Sequence, residues 1–198
     1  MNAFYKIDED NNIGSCNGLL CLYVDCGVWF KKNFILWNPA IKSCRVIETS
    51  CVDHLTRCGF GYAYNIDDYK IFASFQSLQR DEDTTQIPAW VFEVSSGKWN
   101  PVLNFPSDVG YCNTGYVKAV YSADHLYWIV EDNHIMSFYL MDNKFKEVKF
   151  PAVENISFKL YVSDGCLTLF SYCAEHDERN QDDDIWRLVQ PQSGNCDS

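Results

Sequence analysis

Several groups of residues have types and spacing that suit chemistry. Gly14-Ser15-Cys16-Asn17-Gly18 has the form of a nucleophile elbow around Cys16. An elbow needs a strand before it and a helix after it. Here an apolar strand-like run, Leu19 to Tyr23, follows instead. The phrase therefore reads as a hairpin turn at Asn17-Gly18, with Cys16 an ordinary thiol. Cys51, His54 and Cys58 offer three metal ligands, with Cys112 or a distant residue as the fourth. The paired, closely spaced ligands of a zinc site are missing, so a connecting loop is expected and no metal. His54, His125, His134 and His176 are scattered, and default to solvated or capping roles. The acidic run Glu175 to Asp184 evokes the paired acids of propeller glycosidases. A catalytic acid needs apolar burial to raise its pKa, and this run has no apolar neighbours. No catalytic residue and no cofactor are expected.

Recognition chemistry is better represented. Trp29 and Phe30 stand beside Lys31 and Lys32, and aromatics flanked by charge make good interface anchors. Arg80, Asp81 and Glu82 lie in a polar stretch suited to rim contacts. These seven residues are the candidate partner-binding set.

The elements that position them follow a repeat. Trp37 and Cys44, Phe92 and Trp99, Phe138 and Phe145 are each seven positions apart. Ten positions past each first anchor comes Ile47, Val102 or Val148. The anchors recur after 55 and then 46 residues, the period of repeated supersecondary units. A turn signal opens each of four units: Asn17-Gly18, Asp67-Asp68, Ala123-Asp124 and, in a fourth without the full phrase, Asp164-Gly165. Asn-Gly and Asp-Gly suit two-residue hairpins; the other two pairs are expected in longer turns. An apolar run follows each turn, and Leu126 to Val130 is apolar on both faces, as in a strand covered on both sides. Each unit then has strands A and B joined by the hairpin, and C and D joined by the anchor phrase. In the third unit A is expected over Val117 to Tyr121, B over Leu126 to Val130, C over Ile135 to Leu140 and D over Phe145 to Val148. The fourth unit has strand C near Asp184 to Val189 and no D. The fold class is all-β: a propeller-like stack of about four antiparallel four-stranded blades, incomplete or truncated. Residues 1–12 form a polar N-terminal segment, 13–189 the domain and 190–198 a polar tail. The connections from B to C vary most in length, between 14 and 24 residues from turn signal to anchor. They emerge on the same face as the links between blades, which makes that face the recognition face.

Composition limits the partners. A net charge of −11 disfavours nucleic acid and anionic membrane surfaces. No apolar run is long enough for a membrane span, and Met1 to Asn12 is too polar for a secretory signal. The ten cysteines are expected to be free thiols, most of them inside apolar strands like Cys21 and Cys166. A cytoplasmic or nuclear location follows.

Three stretches carry a resemblance: Ile13 to Leu22, Leu36 to Ala40, and Gly59 to Tyr64 running into Asp67 to Ile71. Leu126 to Trp128, Ile135 to Leu140, Lys144-Phe145, Phe150-Pro151 and Asp164 to Leu167 extend it. In their order and spacing the chain resembles the F-box associated domain of plant F-box proteins, a kelch-like propeller. In that family an N-terminal F-box binds the adaptor of an SCF ubiquitin ligase. The associated domain captures the protein to be ubiquitinated. The resemblance implies a non-enzymatic substrate receptor whose partner is a target protein. Only twelve residues precede Ile13, too few for an F-box, so adaptor binding is expected only if an F-box is supplied elsewhere. The alternatives are a propeller carbohydrate-binding protein or glycosidase, and a truncated competitor lacking adaptor binding.

Overall fold

The computed structural model describes residues 11–25, 32–49, 54–76, 86–106, 116–130, 134–149, 156–173 and 185–187. The described residues form four consecutive sheets. The first holds β1 (Asn12–Cys16), β2 (Leu19–Asp25), β3 (Lys32–Asn38) and β4 (Ser43–Glu48) in that order. The second holds β5 (His54–Ala63), β6 (Asp68–Gln76), β7 (Gln86–Glu93) and β8 (Lys98–Pro106). A short β9 (Val117–Lys118) pairs parallel to β5 on its other side. The third holds β10 (Val120–Ser122), β11 (His125–Val130), β12 (His134–Tyr139) and β13 (Lys144–Lys149). The fourth holds β14 (Ile156–Ser163), β15 (Cys166–Cys173) and β16 (Ile185–Arg187). The arrangement is all-β and propeller-like.

The sequence repeat is a register. Trp37 lies opposite Cys44, Phe92 opposite Trp99, and Phe138 opposite Phe145. Three positions back along each C strand, Phe34 meets Ile47, Ala89 meets Val102, and Ile135 meets Val148. Cross-strand aromatic pairs of this kind stabilise a hairpin by packing. The Phe92 and Trp99 rings sit 5.3 Å apart, and those of Phe138 and Phe145 4.8 Å. The loop in each hairpin ends on a left-handed residue: Lys42, Gly97 or Asn143.

The core is layered between sheets. Phe34, Leu36 and Cys21 of the first sheet pack on Phe60, Ile71 and Phe92 of the second. Phe72, Val91 and Phe105 of the second pack on Leu126, Trp128 and Phe138 of the third. Tyr127 and Ile135 of the third meet Leu167 and Leu169 of the fourth. Strand β11 thus sends Leu126 and Trp128 one way and Tyr127 the other, which is why it is apolar on both faces. Polar ties cross the layers too. Trp128 Nε1 donates to the Cys58 carbonyl at 3.2 Å, and Trp99 Nε1 to the Glu48 carbonyl at 3.1 Å.

Gly59 and Gly61 have a packing role. A Cβ on Gly59 would stand 2.7 Å from Ala119 Cβ, and one on Gly61 2.8 Å from Leu140 Cδ1 and closer still to the Tyr121 ring. The third sheet's inner strand rests where those side chains are missing.

Four expectations need correction. Ala123-Asp124 is a two-residue turn, with both residues at positive φ and Ser122 facing His125. Its strain is compensated by tertiary bonds described below. Val117 and Lys118 do not begin the third sheet; they pair with β5, and the chain crosses to β10 only after Ala119. The second sheet is accordingly five-stranded and mixed rather than four-stranded and antiparallel. Cys166 is exposed, because it leads β15 straight out of the Asp164-Gly165 turn, whereas Cys21 is fully buried.

Candidate protein-binding surfaces

Antiparallel order gives each sheet two unlike ends. At one end are the tight A–B and C–D turns. At the other, residues 26–31, 77–85, 131–133 and 174–184 join B to C, and residues 49–53, 107–116 and 150–155 join one sheet to the next. Connections are two to four residues long at the turn end and three to eleven at the loop end. Rigid sheets that hold variable segments together are a common basis for recognition.

The turn end carries a cluster of tyrosines and aspartates. Tyr62, Tyr64 and Tyr69 form an aromatic group: Tyr62 lies 5.0 Å from Tyr64 edge-on and 4.8 Å from Tyr69. The Tyr62 hydroxyl donates to the Asp67 carboxylate. That bond, followed by desolvation and then the Asp67 charge, raises the Tyr62 pKa to about 12. Asp124 Oδ1 accepts the Tyr64 N–H at 3.0 Å from the neighbouring sheet, and the Asp124 carbonyl accepts the Leu140 N–H at 2.9 Å. The Tyr121 hydroxyl donates to the Tyr62 carbonyl at 2.7 Å. Burial, then the neighbouring Cys16 and Asp124, push the Tyr121 pKa up. Cys16 sits against the Tyr121 hydroxyl, and burial raises its thiol pKa as well. A raised thiol is a poor nucleophile. Cys16 ends β1 and is followed by the Asn17-Gly18 turn and β2, so the hairpin expectation stands and no elbow forms.

An F-box associated beta propeller domain family model matches residues 5–186. The chain belongs to this family. A relative from Arabidopsis thaliana, an F-box/kelch-repeat protein, is 29% identical over 190 residues, covering 90% of this chain and 48% of the relative. The chain therefore spans about half the length of that curated relative.

In this F-box associated domain, Lys32 is the one candidate contact residue within the described residues. It opens β3 opposite Asp25, half-buried, and its carbonyl accepts the Thr49 hydroxyl at 2.7 Å. Trp29, Phe30, Lys31, Arg80, Asp81 and Glu82 lie outside the described residues, as do Cys51 and Cys112. Of the proposed metal trio, His54 is exposed at the start of β5 while Cys58 is fully buried in the first core layer, its pKa pushed well up by burial. Among the described residues no three His, Cys, Asp or Glu converge as metal ligands, and no helix is long and apolar enough to cross a membrane. No sequence signal marks the tyrosine–aspartate cluster, whose members are spread from Cys16 to Asp124. Only Asp67-Asp68, a poor pair for a two-residue hairpin, pointed to the longer turn found there.

Proposed function

We propose that this domain captures a target protein for an SCF-type ubiquitin ligase, as the recognition module of a receptor. Membership of the F-box associated family carries the reading. The likeness to an F-box/kelch-repeat protein supports it. The sheet stack supplies a rigid base, and the loop end supplies the variable segments that select the partner. Trp29, Phe30, Lys31 and Lys32 are assigned as central contacts, with Arg80, Asp81 and Glu82 at the rim. Engagement of the SCF adaptor requires an F-box, whichever polypeptide supplies it. Ubiquitin transfer then belongs to other subunits, and the domain itself catalyses nothing.

Fusing the chain to an F-box and reconstituting the ligase tests this. Proteins retained by the chain should become ubiquitinated, and Trp29→Ala with Phe30→Ala should reduce their capture by about tenfold or more. Capture that is indifferent to both substitutions overturns the assigned surface. Failure of every retained protein to be modified overturns the receptor reading.

A further inference from the structure

Three of the four described A–B turns consist of two residues: Asn17-Gly18, Ala123-Asp124 and Asp164-Gly165. The second sheet departs from them. Between β5 and β6 the chain makes a 3-10 turn over Tyr64–Ile66 and returns through Asp67 at φ 51. None of the three residues in that turn is buried. Tyr64 is 65% exposed and Ile66 46%. A longer turn that displays apolar side chains buries none of them in the core, which leaves those side chains available to a partner.

The segment is nevertheless held firmly. The Asp67 N–H donates to the Tyr64 carbonyl at 3.3 Å. The Tyr64 N–H is fixed by Asp124 of the third sheet, and Tyr62 beneath it by Tyr121. An exposed aromatic on a fixed backbone loses little freedom on binding. Tyrosine in that setting is a common interface anchor.

The surrounding charge selects the partner. Carboxylates from two sheets border this turn: Asp67 closes it and accepts the Tyr62 hydroxyl, and Asp124 of the third sheet accepts the Tyr64 N–H. Arg45 of β4 and Lys70 of β6 are engaged elsewhere: Arg45 donates to the Val94 carbonyl and lies over the Phe92 ring, and buried Lys70 bonds Asn143 and pairs with Glu93. The chain's net charge of −11 adds long-range attraction for cations. We propose that Tyr64, Ile66, Asp67 and Asp124 form a docking surface for an arginine-bearing segment of a protein partner. The guanidinium stacks on the tyrosine face, its N–H groups meet the two carboxylates, and its aliphatic stem covers Ile66. This surface lies at the opposite end from the loops assigned to target capture and goes beyond that reading.

Fluorescence anisotropy with a labelled hexa-arginine peptide, and hexa-lysine for comparison, tests the proposal at about 0.15 M salt. Hexa-arginine should bind several-fold more tightly, because only a planar guanidinium can stack and fork together. Tyr64→Ala should weaken it by about tenfold. Asp67→Asn with Asp124→Asn should do likewise while keeping the acceptors and the tolerance of positive φ. Asp142→Asn with Glu147→Gln removes the same charge elsewhere and should change affinity less than about twofold. An equal loss in both double variants, no loss in Tyr64→Ala, or equal binding of the two peptides overturns the site and leaves diffuse charge attraction.

Discussion

At the scale of single residues, the two glycines of β5 show how much one missing side chain decides. Leu126 and Leu140 rest where Cβ atoms of Gly59 and Gly61 would stand, and the Tyr121 ring covers Gly61. Gly61→Ala should destabilise the domain by about 1–3 kcal/mol through overpacking. The urea midpoint checks this, and a midpoint equal to wild type would mean the third sheet sits farther out. Glycines inside a strand-like run, such as Gly59-Phe60-Gly61, mark a close approach from sequence alone. What they approach was not legible, since Tyr121 and Leu140 are about sixty to eighty residues away and no local pattern links them.

At the scale of elements, the turns separate what a sequence states locally from what tertiary contacts impose. Asn17-Gly18 and Asp164-Gly165 announce two-residue hairpins because their residues tolerate positive φ. Ala123-Asp124 makes the same turn with φ values of 45° and 62° and no glycine. Its carboxylate holds Tyr64 and its carbonyl holds Leu140, so tertiary bonds offset local strain. The C–D turns offer a simpler case. Gly97 and Asn143 suit their left-handed positions, but Lys42 occupies the equivalent one at φ 51 with its side chain exposed. Lys42→Gly should therefore stabilise the domain by about 0.5–1 kcal/mol. Thermal melting checks it, and a lower midpoint would show that the lysine contributes something the turn geometry does not require. The anchor pairs were readable for the opposite reason. A register in which Phe92 faces Trp99 and Phe138 faces Phe145 writes itself into spacing, because both partners belong to one hairpin. The parallel pairing of Val117 and Lys118 left no such trace, since two residues are too few to establish a period.

At the scale of the whole molecule, burial of ionisable groups between sheets ties stability to pH. Burial raises the pKa of Cys21, Cys58 and Tyr121 in the folded state. Unfolded thiols ionise near about pH 8.5 and tyrosines near about 10. The folded form keeps these protons longer than the unfolded form does. Their contribution is complete below the unfolded values and is lost as pH rises through the folded ones. The urea midpoint should hold steady from about pH 6 to 8 and fall above about 9, less steeply in Cys21→Ala. An unchanged midpoint at about pH 10.5 would mean that these groups are wet. The layered core was legible from the doubly apolar run at Leu126. The docking end was not, because it is assembled from turns of separate sheets.

The short strand β9 carries a last consequence. The link that leaves the second sheet first zips onto that sheet's own inner strand, through Arg57 and Cys58, before entering the third. Ala119 continues the grip with a 2.7 Å bond to the Cys58 carbonyl. These two blades are stitched as well as stacked. A chimera that exchanged either one alone would have to unpick that seam, so these two move intact only as the pair from His54 to Lys149.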